Sequence, residues 1–131
     1  FFEYNLGMLP YRSLRFEFRT HDAPYYQSNS VVNYPCNYDF TRIGEYKYFL
    51  NDQSDKTIVS YEYPEPFERG KNDRYYPIAN PETAELYKKY INLAGKEKNV
   101  YFCGRLGDYK YYDMDKAVAR CLELINGIKD A

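Results

Sequence analysis

The densest concentration of side chains able to do chemistry is the stretch Gly104-Arg105-Leu106-Gly107-Asp108-Tyr109-Lys110-Tyr111-Tyr112-Asp113-Met114. It lies between a short apolar run, Val100-Tyr101-Phe102-Cys103, and a segment with helical spacing that begins after Asp113. Such a junction suits an anionic or electron-rich partner. Gly104 lets a ligand approach the backbone, Arg105 offers a planar fork of donors matched to phosphate, and the free N–H groups after Asp113 carry the positive end of a helix dipole. The alternative is a tyrosine-rich loop with solvated charges, in which Asp113 only caps the helix. Spacing does not choose between the two. Arg42, which follows Thr41 and opens a strand, is either an edge charge or an inward-facing phosphate ligand. Tyr75 and Tyr76 sit in a long loop, where their hydroxyls either pack locally or reach a ligand. Asn33, near a strand end, and His21, in a polar segment, read as turn or surface residues.

Other chemistries are excluded by count. One histidine leaves no room for Ser-His-Asp, Cys-His or multi-histidine metal sites within the chain. Cys36, Cys103 and Cys121 form no C-x-x-C pair, are odd in number and lie far apart in sequence, so neither a zinc site nor a disulfide framework is expected and we read them as reduced thiols. No catalytic residue and no metal ligand is therefore nominated. A net charge of −1 gives no basic footprint for nucleic acid. The 44% apolar and 28% charged content is ordinary for a globular domain. No run approaches the roughly 20 apolar residues that span a bilayer, so we expect no membrane segment and a cytoplasmic location. The start on Phe1, without an initiator Met, leads us to expect chain upstream. Eighteen tyrosines and no tryptophan suit sheets and polar clefts equally.

Several elements must position these groups. Leu14, Phe16 and Phe18 alternate with Arg15, Glu17 and Arg19, predicting a strand with the apolar set buried. Ser30 to Tyr34 is a second strand, and Arg42 to Leu50 a third, with Tyr46 and Tyr48 on one face. From Thr57 to Tyr63, Val59, Tyr61 and Tyr63 face one way and Ile58, Ser60 and Glu62 the other, until Pro64 and Pro66 end the ladder. Asn51 to Asp55 predicts a hairpin turn. Asn80 as cap and Pro81 at the first position begin a helix carrying Leu86, Tyr87, Tyr90, Ile91 and Ala94 on one stripe. Val100 to Cys103 predicts a short buried strand. A last helix starts near Asp113, with Met114, Ala117, Val118, Cys121, Leu122, Ile125 and Ile128 as its apolar face. The sum is an α+β fold: an antiparallel sheet of about four strands, then helix, short strand and C-terminal helix.

Six blocks in order, Pro10-Tyr11-Arg12-Ser13-Leu14-Arg15-Phe16-Glu17, Val31-Val32-Asn33-Tyr34, Thr41-Arg42-Ile43, Glu62-Tyr63-Pro64, Tyr75-Tyr76-Pro77-Ile78, and Gly104-Arg105-Leu106 followed by Tyr109-Lys110-Tyr111-Tyr112-Asp113-Met114, resemble the C-terminal segments of prokaryotic UDP-galactopyranose mutases. The last block is the most specific. The resemblance implies isomerisation of UDP-galactopyranose to UDP-galactofuranose on reduced FAD, with N5 of the flavin attacking the anomeric carbon as UDP leaves, and the sugar ring opening and reclosing. It implies that Arg42, Tyr76 and Tyr111 hold the substrate diphosphate and that Asn33 touches the substrate. It also implies that Arg105 and the stretch Tyr112, Asp113, Met114, Asp115, Lys116 and Ala117 contact FAD. The sequence departs from the family at Tyr46 and Tyr48, where histidines are usual, at Cys103, where a second glycine is usual, and between Asn33 and Arg42, a segment one residue short.

No G-x-G-x-x-G follows a strand, so the unit that grips the FAD pyrophosphate is absent from the sequence. We therefore expect a C-terminal fragment of a larger FAD-binding α/β enzyme. Residues 1–80 would contribute the antiparallel substrate-binding sheet and residues 81–131 the helix-strand-helix that completes the FAD-binding domain. Alone it is expected to be inactive and not to retain FAD, with the missing N-terminal FAD-binding region of the same chain as its natural partner. The last helix, short of packing surface, is expected to pair with a second copy as a homodimer. Two alternatives stand beside this: a non-catalytic carbohydrate- or nucleotide-binding module, and the C-terminal part of another amine-oxidase-type flavoprotein.

Overall fold

A computed structural model describes residues 1–129 and divides the chain into two compact units, residues 12–73 and residues 1–11 with the chain from 74 onward. The fold is α+β, as the alternating and helical spacings predict.

The first unit is built on four antiparallel strands in the order β2-β3-β4-β1, where β1 is Tyr11–His21, β2 Val31–Asn33, β3 Arg42–Glu45 and β4 Thr57–Pro66. Ile43, Val59, Tyr61 and Tyr63 form its buried core, with Tyr34 and Phe40 packed against them. The Phe40 ring meets Tyr61 and Tyr63 edge-on, at centroid separations of 5.0 and 6.2 Å. These arrangements suit ring quadrupoles better than a face-to-face stack. A carboxylate lies at the edge of this core. Glu45 is fully buried, and accepts hydrogen bonds from the Tyr26 N–H at 2.9 Å, the Gln27 N–H at 3.0 Å and the Thr57 hydroxyl at 2.6 Å. Three donors replace the water it loses.

Four expectations are corrected here. In β1 the apolar set does not line the core: Leu14 and Phe16 are only half-buried and Phe18 is exposed, while Arg15 and Arg19 are exposed as well. The register pairs Arg15 with Tyr63, Glu17 with Tyr61 and Arg19 with Val59, so the charged set of β1 shares the face of the core. The Arg15 and Arg19 guanidiniums lie 4.0 and 4.1 Å over the rings of Tyr63 and Tyr61, covering them with apolar stems and cation–π contacts. Phe18, on the other face, is 61% exposed.

The third strand stops at Glu45, and Lys47–Leu50 forms a single helical turn, α1, closed by Asn51 in the left-handed region at φ 49°. Lys47 is buried because its ammonium donates to the carbonyls of Ser54 and Lys56, a contact that needs the chain to curl. The turn predicted at Asn51 to Asp55 follows, with the Asp52 carboxylate accepting from the Ser54 N–H at 2.9 Å. β4 runs past Pro64 and ends at Pro66, three residues beyond the predicted Tyr63. The Thr41 N–H donates to the Glu62 carbonyl, so the even-numbered groups of β4 point toward β3. β3 reaches only to Glu62, and the missing proline donors face an unpaired edge.

In the second unit β5, Tyr76–Pro77, runs beside the segment that ends at Tyr11, the Ile78 N–H donating to the Pro10 carbonyl at 3.2 Å. Helix α2, Pro81–Ala94, begins as predicted. The Asn80 side chain accepts from the Thr83 N–H at 2.8 Å, while the Thr83 hydroxyl accepts from the Asn80 N–H at 2.9 Å. Val100 to Cys103 is extended but is not a strand, the fourth correction. Among the described residues no ladder pairs with it, and Phe102 instead packs on the rings of Phe1 and Phe2. A short helix α3, Gly104–Gly107, and a long α4, Met114–Lys129, complete the unit. The predicted stripe of α4 is divided: Ala117 and Cys121 are half-buried, whereas Met114, Val118, Leu122, Ile125 and Ile128 are exposed. No described helix is long and apolar enough to cross a membrane.

Candidate functional site

In the sheet unit the face opposite the core carries Asn33, Arg42, Gly44, Ser60, Glu62, Phe16 and Phe18, brought together by the registers Asn33 with Arg42, Arg42 with Glu62, Gly44 with Ser60, Phe16 with Glu62 and Phe18 with Ser60. Arg42 Nε donates to Asn33 Oδ1 at 2.9 Å, and its Nη1 lies 3.6 Å from Glu62 Oε2. The guanidinium is therefore aimed by two neighbouring strands. Its side chain stays 40% exposed, whereas that of Glu62 is only 15% exposed. The result is a fixed, accessible cation beside an aromatic surface. Gly44 keeps the face low, since a Cβ there would come within 3.1 Å of Ser60 Oγ.

In the other unit the centre is Tyr109. Its backbone is left-handed at φ 47°, uncommon for a side chain with a Cβ, and it turns the chain from α3 toward Tyr111. Its buried hydroxyl reaches the Pro10 carbonyl at 2.5 Å and the Ile78 carbonyl at 3.0 Å, and its ring packs on Tyr87 and Tyr11. Burial pushes its phenol above the usual range. The loop beyond is then held by side chains. Arg105 Nε donates to the Tyr112 carbonyl at 2.6 Å, and its guanidinium carbon lies 5.2 Å from the Tyr111 ring centroid. The Tyr76 and Tyr111 rings are 5.5 Å apart. The Tyr112 hydroxyl donates to Asp108 Oδ2 at 2.6 Å, and that oxygen lies 3.4 Å from Arg120 Nε. Its hydrogen bond to the Asp108 carboxylate, reinforced by burial, pushes the Tyr112 phenol up to about 12.

At the start of α4 the Asp113 carbonyl accepts from the Ala117 N–H at 3.0 Å. The N–H groups of Met114, Asp115 and Lys116 thus precede the first intrahelical bond. Asp113, Met114, Asp115 and Lys116 are exposed, and Ala117 and Tyr112 half-buried.

The structure thus brings Asn33 and Arg42 into direct contact in one unit. In the other it gathers Tyr76, Arg105, Tyr111 and Tyr112. His21 stacks on Tyr26 at 4.3 Å, and Tyr75 lies beside Tyr76, neither with a ligand-like arrangement. Glu62, Asp108 and Tyr109 were not singled out by the sequence reading. The signal for Glu62 was its place on the strand face opposite Tyr61 and Tyr63; for Asp108 it was the four-residue step to Tyr112.

A family model described as UDP-galactopyranose mutase matches residues 1–111. This chain belongs to the UDP-galactopyranose mutase family. It is 44% identical over 127 residues to "Probable UDP-galactopyranose mutase" of Klebsiella pneumoniae, an alignment covering 94% of this chain and 32% of that protein. It is 43% identical over 122 residues to the UDP-galactopyranose mutase of Mycoplasma genitalium, covering 89% and 30%. A dTDP-fucopyranose mutase of Escherichia coli is 37% identical over 128 residues, covering 94% and 33%. The chain spans about a third of the length of these curated relatives.

Proposed function

We propose that this chain works as the C-terminal third of a flavin-dependent mutase that interconverts UDP-galactopyranose and UDP-galactofuranose, supplying cell-surface galactofuranose synthesis. The observation that carries the reading is the guanidinium of Arg42, fixed by Asn33 and Glu62 on an open strand face, within a chain whose family model bears the mutase description. The sugar–phosphate bond breaks with negative charge building on the departing diphosphate. A guanidinium held in place before the substrate arrives stabilises that charge without reorganising. Arg42 takes this role, Asn33 orients Arg42 and meets the substrate, and the hydroxyls of Tyr76 and Tyr111 donate to diphosphate oxygens.

The residues around α4 fit a flavin. The free N–H groups at Met114, Asp115 and Lys116 present partial positive charge, which favours an electron-rich ring system. Arg105, anchored through Tyr112, adds a fixed cation. Reduced FAD supplies the nucleophile toward the anomeric carbon when bound. Arg105 and residues Tyr112 to Ala117 hold and orient it. Asp113 offsets part of the dipole, so its role is to set the direction of the first turn. The exposed stripe Met114, Val118, Leu122, Ile125 and Ile128 is the surface that the rest of the flavin-binding domain covers. The 131 residues alone neither turn over nor retain FAD, because positioning is lost with the remaining two thirds.

Arg42→Ala in the full-length polypeptide tests the assignment. With reduced flavin, kcat should fall about 100-fold or more, the scale for removing one preorganised charge donor at a transition state. Arg42→Lys should recover only part of it, since the ammonium lacks the planar fork. Near-normal turnover by Arg42→Ala would return Arg42 to an ordinary strand-edge charge.

A further inference from the structure

Two of the three cysteines, far apart in sequence, meet in the fold. Cys121 Sγ lies 3.7 Å from Cys103 Sγ, and both are free thiols within the same compact unit. Cys103 is exposed, in extended backbone just before α3; Cys121 is half-buried on the second turn of α4. Closing the gap to a bonded separation takes about 1.7 Å of movement, within reach of side-chain rotation. Gly104, at φ 81°, follows Cys103 directly and lets the backbone adjust there. Between the two cysteines run Arg105, Asp108, Tyr111 and Tyr112.

We propose that Cys103 and Cys121 form a thiol–disulfide site that takes a low-molecular-weight disulfide as oxidant and, once oxidised, clamps the loop from Gly104 to Asp113 onto α4. The exposed Cys103 thiolate attacks one sulfur of the incoming disulfide, forming a mixed disulfide and releasing one thiolate. Cys121, as thiolate, then attacks Cys103 Sγ, forming the Cys103–Cys121 bond and releasing the second thiolate. The two protons from the protein thiols go to the two released thiolates. The protein loses two protons and two electrons, and the small disulfide takes them up to become two thiols. Asp108 and Arg120 act on the Cys103 thiol in opposite directions, the carboxylate raising it and the guanidinium lowering it. Contact with Cys121 and burial push the Cys103 thiol above its usual range, so exchange accelerates as pH rises. The proposal concerns the chain's own thiols and stands whether or not the mutase reading does.

The test is incubation of the chain with glutathione disulfide, followed by non-reducing peptide mapping. The expected product has lost two hydrogens, carries a Cys103–Cys121 linked peptide, and returns to the dithiol with dithiothreitol. In Cys121→Ser a glutathione adduct should accumulate on Cys103. Trypsin should cut after Arg105 and Lys110 at least several-fold more slowly in the oxidised chain than in Cys103→Ser. A lasting glutathione adduct on Cys103 in the unsubstituted chain, or disulfides linking two chains through these residues, overturns the site. No adduct on Cys103 in Cys121→Ser overturns the order of attack, and equal trypsin rates overturn the clamp. Cys36 maps separately, and its own adduct marks how far the reagent has reacted.

Discussion

Glu45 ties the Tyr26–Gln27 segment and Thr57 to the end of β3, and Glu45→Gln isolates how. In the native side chain Oε1 accepts from the Tyr26 N–H and the Thr57 hydroxyl, and Oε2 from the Gln27 N–H. Glutamine has nearly the same shape and keeps one acceptor for Tyr26 and Thr57. Its amide N–H2 must then face the Gln27 N–H, donor against donor. One charge-assisted bond is lost and a donor is left unpaired, a cost of about 2–3 kcal/mol. Glu45→Ala removes both acceptor oxygens, and with them three hydrogen bonds, at a fully buried position and should cost about 4–6 kcal/mol, a large part of a domain's usual stability. Thr57→Val should cost about 1 kcal/mol alone, and less in the Glu45→Ala background, because its partner is already gone. Urea titration followed by far-ultraviolet circular dichroism reads each value. A Glu45→Gln chain within 0.5 kcal/mol of the parent would show that the carboxylate is not what ties the Tyr26–Gln27 segment to β3.

Asp108→Asn should bring the Tyr112 phenol back down from about 12 toward the ordinary tyrosine value, read by NMR titration of labelled tyrosine; an unchanged value would remove Asp108 as the cause. Because the folded state raises this phenol above the unfolded value near 10, the stabilisation is complete below pH 10 and is lost as pH rises through about 12. Thr83→Val should destabilise α2 by about 1–2 kcal/mol, since the hydroxyl accepts from the Asn80 N–H and donates to the carbonyls of Ile78 and Asn80; a thermal melt unchanged from the parent would refute this.

The sequence made some of this architecture plain and concealed the rest for identifiable reasons. Helix α2 was legible because Asn80, Pro81 and Thr83 act locally, on backbone groups within a few residues. Strand β1 was legible as a strand, but alternation tells which residues share a face and not which face is inward. The aromatic rings of β4 took the inner side, and the arginines of β1 lay over them. The end of β3 depended on Lys47 reaching carbonyls of Ser54 and Lys56, a contact that periodicity cannot express. At the candidate site, Arg42 and Asn33 could be nominated by type and by family resemblance. Glu62, which completes their arrangement, needed the β3–β4 register. Likewise Tyr109 read as one tyrosine among many, and only its left-handed backbone and two carbonyl partners show that it turns the loop carrying Tyr111. The cysteines were misleading in the opposite sense: distance in sequence suggested isolation, and the approach of α3 to α4 brought two of them together.

The most direct test of the functional reading is product analysis with the full-length polypeptide that contains this chain, its flavin chemically reduced, and UDP-galactopyranose or dTDP-fucopyranose as substrate. UDP-galactopyranose should equilibrate with UDP-galactofuranose, turnover should disappear when the flavin is reoxidised, and dTDP-fucopyranose should be the poorer substrate. UDP-galactopyranose recovered unchanged under reducing conditions, while dTDP-fucopyranose is converted, would contradict that reading.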